Sequence, residues 1–313
     1  MKAILLMKAG GVENLQLSEV DKPSIQNDEV LVATQAISLN PADVKPKYSD
    51  QMLNMFFGPN RPLILGWDIA GVVEEVGSAV KHFRPGDRVF GMINFPGVGK
   101  AYAEFVAAPA AHLAKMPEGT SFEAAAATTL AALTALQILE GRIKKGDRVL
   151  VQGGSGGVGH FGIQIAKAMG AYVITTSSGK NRDFVMSIGA DEHIDYQTQA
   201  FEEELSNVDF VLDIFGGKVL ENSIKVLAEG GTIFSTAARD FSADIQSQIR
   251  RLNGTISSIL VESSGEDMNT LKGMMEAGTL KPHIYKTFPL AQMAEAHTEV
   301  EKGRTVGKIV VTV

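Results

Sequence analysis

The chain has 313 residues, of which 45% are hydrophobic and 21% charged, and a formal net charge of −7. At roughly 100–200 residues per domain this length predicts two domains, and the composition is that of a soluble globular protein, not a disordered chain. Acidic and basic residues are interspersed with no basic stripe, which argues against nucleic acid or a cationic membrane-surface helix as a mode of binding. The absence of cysteine excludes disulfides, thiolate nucleophiles, iron–sulfur clusters and Cys-based zinc sites.

The N-terminus places only five apolar residues between Lys2 and Lys8, too few for a secretory core. Residues 124–139 form the longest weakly polar stretch, but they contain three threonines and read as a buried helix. No membrane insertion is expected, and the cytoplasm is the expected location. Residues 1–121 carry short β-rich runs at 29–36, 70–76, 88–92 and 103–107. Nine of the 11 prolines fall among them, and such dense breakers between short strands predict a barrel-like β unit with long loops. The similar segments Pro85-Gly86-Asp87-Arg88-Val89 and Lys145-Gly146-Asp147-Arg148-Val149 read as two turns that each feed a strand.

Residues 122–262 have a different texture. Strands are predicted at 147–152, 172–176, 193–196, 209–215, 231–235 and 256–261, with helices between them, including one ending near 188 and one near 227. Strands alternating with helices predict right-handed crossovers and a parallel, doubly wound α/β sheet. From 263 a helix, a Pro-bounded stretch, another helix and a closing strand at 307–313 follow.

The most specific motif is Gly154-Ser155-Gly156-Gly157-Val158-Gly159, directly after a predicted strand and directly opening a helix. Glycines there permit a sharp turn and close backbone approach. The unpaired amides and dipole of the helix start then favour a pyrophosphate. Val158, Phe161, Gly162, Ile165, Ala166 and Met169 recur at helical spacing on one face. About 20 residues past the glycines, where an NAD-preferring fold carries an acid for the ribose diol, the chain reads Thr175-Thr176-Ser177-Ser178-Gly179-Lys180-Asn181-Arg182. The first acid in sequence is Asp183, while Lys180 or Arg182 can pair a 2′-phosphate, so NADPH is the expected cofactor. The six histidines (82, 112, 160, 193, 283 and 297) include no pair at ligand spacing on one helix, and no metal site is expected. Neither a nucleophile elbow with triad partners nor a Walker-type loop is present.

Three further sets of segments carry a family resemblance. The first comprises Ser38-Leu39-Asn40-Pro41-Ala42-Asp43, Pro62-Leu63-Ile64-Leu65-Gly66-Trp67-Asp68-Ile69-Ala70-Gly71-Val72-Val73 and Val76-Gly77 through Pro85-Gly86-Asp87-Arg88-Val89. The second is Leu133-Thr134-Ala135 with the glycine turn. The third is Gly189-Ala190-Asp191 through Asp195-Tyr196 and the closing Gly307-Lys308-Ile309-Val310. Collinear over nearly the whole chain, they resemble the medium-chain dehydrogenase/reductase superfamily, in particular its zinc-independent quinone oxidoreductase branch. The zinc alcohol dehydrogenase branch has Cys-His where this chain has Asn40-Pro41, and Gly-His-Glu where it has Gly66-Trp67-Asp68. The four-cysteine lobe of that branch is also missing.

The resemblance implies a GroES-like β-barrel-type catalytic domain from 1–121 plus 263–313, with a Rossmann domain inserted at 122–262 and a cleft between them for nicotinamide and substrate. It implies that Asn40 lines the nicotinamide end and that Lys45 and Tyr48 approach ribose or substrate, these three forming the catalytic candidates. Thr134 would touch nicotinamide, and Gly154 to Gly159, including Ser155, Gly156, Gly157 and Val158, the pyrophosphate. Ser177, Lys180 and Tyr196 would surround the 2′-phosphate, and Lys308 completes the cofactor side. The apolar stretch Met52 to Phe57 would wall a flat acceptor. The implied activity is NADPH-dependent hydride transfer, without zinc, to a quinone or an α,β-unsaturated carbonyl compound, in a protein compatible with a homodimer. The rivals are an enoyl-thioester reductase and a non-catalytic NADPH-binding redox sensor on the same fold.

Overall fold

The computed structural model describes residues 1–313, which divide into two compact units, Met1–Leu133 with Val261–Val313, and Thr134–Leu260. Unit 1 begins with β1 (Lys2–Leu6), β2 (Leu15–Glu19) and the long β3 (Glu29–Leu39), followed by α1 (Pro41–Val44) and α2 (Asp50–Phe57). Next come β4 (Leu63–Ile64), β5 (Asp68–Val76), β6 (Arg88–Met92), β7 (Phe105–Pro109), β8 (Ala114–Lys115) and α3 (Phe122–Ala127). Helix α4 (Leu130–Leu139) carries the chain into unit 2.

Unit 2 alternates β9 (Arg148–Val151), α5 (Gly157–Ala168), β10 (Tyr172–Ser177), α6 (Arg182–Ser187), β11 (Glu192–Asp195) and α7 (Phe201–Glu204). It continues with β12 (Val208–Asp213), α8 (Gly217–Val226), β13 (Leu227–Ser235), α9 (Ala243–Arg251) and β14 (Thr255–Ser258). The chain then returns to unit 1 with α10 (Gly265–Glu276), β15 (Ile284–Pro289), α11 (Met293–Glu301) and β16 (Lys308–Thr312). No helix is long and apolar enough to cross a membrane.

In unit 2 the six strands are all parallel in the order β11-β10-β9-β12-β13-β14. Counted within the unit this is 3-2-1-4-5-6, the doubly wound order that binds nucleotides at the carboxyl ends of its central strands. One face is closed by Leu150, Ile174, Ile194, Val211 and Ile233, which pack with Leu220 and Ile224 of α8 and Phe201 and Leu205 of the α7 segment. The other face carries α5. The one-sided apolar stripe expected there is instead burial all round, since His160 through Ala166 are buried without interruption.

Unit 1 is built on a seven-stranded sheet running β15-β16-β3-β5-β6-β8, with β7 paired to β3. Strand β3 stands at its centre because its buried side chains serve several neighbours. It pairs antiparallel with β5, β7 and β16 at different points along its length. Strand β15, parallel to β16, was hidden in the sequence within the Pro-bounded stretch. Its Tyr285-Lys286-Thr287 run is exposed and lacks an apolar alternation.

The expected domain limits require correction. Helix α3, assigned from sequence to the inserted region, packs on β3, β5 and β16, so the boundaries fall at Leu133/Thr134 and Leu260/Val261 instead of 121/122 and 262/263. Its buried Ala125, Ala126 and Ala127 are small enough for the helix to lie close on the sheet, and composition alone does not reveal which sheet. The two related turns feed β6 and β9 by one device. Gly86 and Gly146 both have φ +92, while Asp87 and Asp147 each accept a bond of 3.0 Å from the backbone N–H three residues before.

Trp67 anchors the loop side of unit 1. It is 1% exposed, stacks on Phe57 at 5.2 Å between centroids, meets Phe95 edge-on at 4.9 Å, and donates from Nε1 to the Gly97 carbonyl at 2.6 Å. Truncation therefore leaves a cavity and an unpaired carbonyl together. Trp67→Ala is expected to lower unfolding stability by about 3–5 kcal/mol in denaturant titration, and Trp67→Phe by less.

Candidate functional site

The nucleotide edge of unit 2 is set by how closely α5 approaches β9 and β10. A Cβ on Gly159 would collide with the Gly153 carbonyl oxygen, and one on Gly154 with Thr175 Oγ1 and Ile163, so both positions are closed to any other residue. Gly156, at the helix N-cap, has only the Gly153 oxygen nearby, at 3.3 Å from where a Cβ would stand. No side chain caps this helix, in contrast to α2, α3, α9 and α10, each capped by a serine hydroxyl. An uncapped helix start over a glycine turn leaves N–H groups for an anion, and these residues fit a dinucleotide pyrophosphate. Ser155 Oγ accepts a 3.0 Å bond from Asn181 Nδ2, which ties the turn to the loop after β10.

The end of β10 holds the remaining nucleotide candidates. Ser177 is buried, with its hydroxyl 3.1 Å from the Ser178 carbonyl and 2.8 Å from His193 Nε2. Lys180 and Arg182 are exposed, as is Tyr196, whose backbone N–H donates to the Ser177 carbonyl at 3.3 Å. The structure adds a carboxylate that reading along the chain missed. Asp195 pairs with Ser177 across the parallel ladder, and a Cβ on Gly179 would strike its Oδ2. The next acid in sequence is Asp183, but the next acid in space lies one strand over.

A buried polar cluster dominates unit 1. Asn40 ends β3 and caps α1, its backbone N–H donating to Asp43 Oδ2 at 2.6 Å in a capping box. Its Nδ2 donates to Asp68 Oδ2 at 2.7 Å, and its Oδ1 accepts from Lys308 Nζ, which also donates to the Leu39 carbonyl at 3.0 Å. Asp68 Oδ1 accepts from the Leu130 backbone N–H at 3.0 Å. Two carboxyls and one ammonium are thus sealed from water. Burial, and then the Asp68 charge, push the Asp43 carboxyl up to about 8. Asp43 Oδ1 has no partner, and the Asn40 N–H and the Lys308 charge only partly offset the cost of a negative charge there. Burial also raises Asp68, against the pull of Lys308, Asn40, Thr129 and the Leu130 N–H, and lowers the Lys308 ammonium, against both carboxylates. Asp43 is therefore protonated at neutral pH, and burial works against the charge on each of the three groups.

Several expected roles need correcting on this geometry. Asn40 is 2% exposed, with Nδ2 bonded to Asp68 and Oδ1 to Lys308, which places its side chain in the buried cluster. Lys308 is likewise internal and neutralises carboxylates; it does not reach out to a cofactor. Tyr48 is exposed, but its hydroxyl donates to Glu301 Oε1 at 2.8 Å, and that bond raises its pKa, which disfavours it as a proton donor. The same Glu301 takes the fully buried Lys47, whose Nζ lies 4.1 Å from the Tyr48 ring centroid. Lys45 points to solvent, and Thr134 is buried on α4. Asp43 and Asp68 escaped selection, although the i, i+3 spacing of Asn40 and Asp43 after a strand is the signature of a capping box.

The buried cluster has a measurable signature. The folded-state pKa of Asp43 lies above its unfolded value of 3.8, so its contribution to stability is greatest at low pH and falls as the pH climbs toward 8. His297, held down to about 3 by burial and the Lys47 charge, acts in the opposite sense below its ordinary 6.5. Asp43→Asn keeps an acceptor for the Asn40 N–H and cannot ionise. Its stability relative to the parent is expected to rise with pH by roughly 1 kcal/mol per unit between about pH 5 and 7, read from paired denaturant titrations.

Comparison with known proteins agrees with both units. Residues 26–118 match the family described as alcohol dehydrogenase GroES-like domain, and residues 188–311 the family described as zinc-binding dehydrogenase. No cluster of three or more acidic or histidine side chains is arranged to hold a metal ion, and at the positions compared above Asn40, Trp67 and Asp68 are committed to the cluster and the aromatic core, so the residues present do not fit zinc. The chain is 34% identical to a 2-methylene-furan-3-one reductase of Solanum lycopersicum, over 99% of this chain and 79% of that protein. It is 32% identical to a chloroplastic NADPH-dependent alkenal/one oxidoreductase of Arabidopsis thaliana over the same shares. The solved quinone oxidoreductase of Coxiella burnetii superposes with a TM-score of 0.93 at 34% identity, over 100% of this chain and 99% of that one. These likenesses run the length of the chain, and it belongs to the quinone oxidoreductase branch of the medium-chain dehydrogenase/reductase superfamily.

Proposed function

We propose that the protein is an NADPH-dependent reductase of quinones or α,β-unsaturated carbonyl compounds that works without zinc. The observation that carries this reading is the uncapped glycine-built start of α5, flanked at the end of β10 by Ser177 and Lys180 with no acid on β10 itself. The bound nicotinamide would supply a hydride to an electron-poor carbon conjugated with a carbonyl. The α5 amides receive the pyrophosphate, and the Asn181–Ser155 bond holds the glycine turn against the adjoining loop. Lys180 lies free in solvent to pair a 2′-phosphate. Exposed Met52 and Met55 and the half-buried Phe56, stacked on Phe95 and edge-on to Trp67, offer an apolar face suited to a flat acceptor. With the Tyr48 hydrogen held by Glu301, the proton that completes the reduction comes from solvent. The names of the relatives, which include alkenal/one and furanone reductases, support the acceptor class.

One observation favours a second reading. Asp195 stands opposite Ser177, where a carboxylate that held the ribose diol would select NADH. Following cofactor absorbance with 1,2- and 1,4-quinones, enones and enoyl thioesters, with NADPH and NADH and with a chelator present, separates these cases. Turnover of quinones or enones with NADPH, unaffected by chelation, is expected; turnover with NADH alone would favour the Asp195 reading, and loss on chelation would refute zinc independence. Lys180→Ala is expected to weaken NADPH binding about tenfold or more while sparing NADH, because one charge-assisted contact is lost. Equal losses for both cofactors in a fluorescence titration would remove Lys180 from the phosphate site.

A further inference from the structure

The third strand of unit 2, β11, carries a histidine beside Asp195 that the reading above does not use. His193 and Asp195, two residues apart on β11, project to one face of the sheet and stand opposite Thr175 and Ser177 of β10. That face is the one against which the glycine turn packs, because a Cβ on Gly154 would strike Thr175 Oγ1. His193 is half-buried, and its Nε2 lies 2.8 Å from Ser177 Oγ, at the residue that ends the strand reading the adenosine ribose in this fold. We propose that His193 is a specificity-determining residue that makes the preference for the 2′-phosphorylated cofactor grow as pH falls. The proposal rests on the NADPH reading given above.

The charges facing His193 set the direction. Burial lowers its pKa below the ordinary 6.5, and Arg182 on α6 acts the same way, while Asp195 and the Ser177 carbonyl pull it back up. The other acid on β11, Glu192, is within 3.5 Å of the Tyr172 hydroxyl, and Asp191 is paired with Lys167. In the free protein the imidazole is therefore neutral at physiological pH. A 2′-phosphate brings close to two negative charges to this edge, which favours the imidazolium. The proton is taken from solvent. His193 Nε2–H then donates to Ser177 Oγ, and Ser177 directs its own hydrogen to the Ser178 carbonyl at 3.1 Å. The imidazolium also offsets the Asp195 carboxylate, the one local group that repels the phosphate. NADH lacks the phosphate, and its binding has no cause to move this proton.

Linkage makes the effect measurable: each unit by which bound phosphate raises the His193 pKa allows up to about tenfold tighter NADPH binding across the titration window. Isothermal titration of the full chain with NADPH and with NADH at pH 8 and pH 6.5, in two buffers of different ionisation enthalpy, reads affinity and proton uptake together. We expect the Kd ratio of NADH to NADPH to rise about threefold or more on acidification, with proton uptake accompanying NADPH only. His193→Gln keeps a donor for Ser177 but cannot ionise, and should hold the ratio flat and lose the uptake, with unchanged NADH affinity showing that the variant is folded. A flat ratio in the parent protein, or the parental pH response retained in His193→Gln, would overturn the proposal while leaving the NADPH reading intact. Failure of both dinucleotides to bind would instead overturn the reading of the glycine turn and this inference with it.

Discussion

Burial works against negative charge at both Asp43 and Asp68, and the contacts that offset this cost tie the ends of the central strands together. Lys308 supplies the compensating ammonium, and Asn40 mediates between the two sides by donating to Asp68 and accepting from Lys308. Lys308 on β16 and Asp68 on β5 flank β3, which Asn40 directly follows, and the three strands are neighbours in the sheet. An uncompensated carboxylate at this depth would cost several kcal/mol, so the pairing fixes which strand ends must meet. The cluster thus does for the strand ends what apolar packing does for the middle of the sheet: it admits one register.

The same cluster bears on the metal chemistry suggested by the description of a family the chain matches. An ammonium already balances the carboxylates, the amide of Asn40 is spent, and Trp67 fills the neighbouring space with stacked aromatic contacts. A metal would have to displace a cation and break the core to find ligands. The activity proposed above rests instead on position and charge: the uncapped glycine turn of unit 2 and the apolar aromatic face of unit 1.

Features that repeat locally were legible in the sequence. The glycine turn, the alternation of strands and helices, and the paired Gly-Asp turns before β6 and β9 depend on residues within a few positions of one another. What escaped notice depends on distant partners. Asn40, Asp68 and Lys308 are separated by 28 and 268 positions, and no pattern along the chain announces their meeting. Asp195 and His193 lay beyond the window searched for a ribose-binding acid because parallel pairing brings the next strand alongside Ser177. The limit of α3 was missed because an Ala-rich helix suits either sheet. Asn40 and Lys308 both face inward, and position in a motif does not say whether a side chain faces inward or outward.

The split of unit 1 around unit 2 has a consequence for how the protein is made. Unit 2 is one contiguous segment, Thr134–Leu260, in which every crossover but the one from β11 to β12 joins neighbouring strands. Strand β3 precedes unit 2 in the chain yet pairs with β16, which follows it. Throughout synthesis Asn40 and Asp68 wait without their cation, and β3 keeps an unpaired edge. The order of completion is therefore the reverse of the order of synthesis: the inserted unit is able to close while the chain is still growing, and the unit that started first finishes last. In such a chain a change in β16 would be felt in β3, on the far side of the inserted unit.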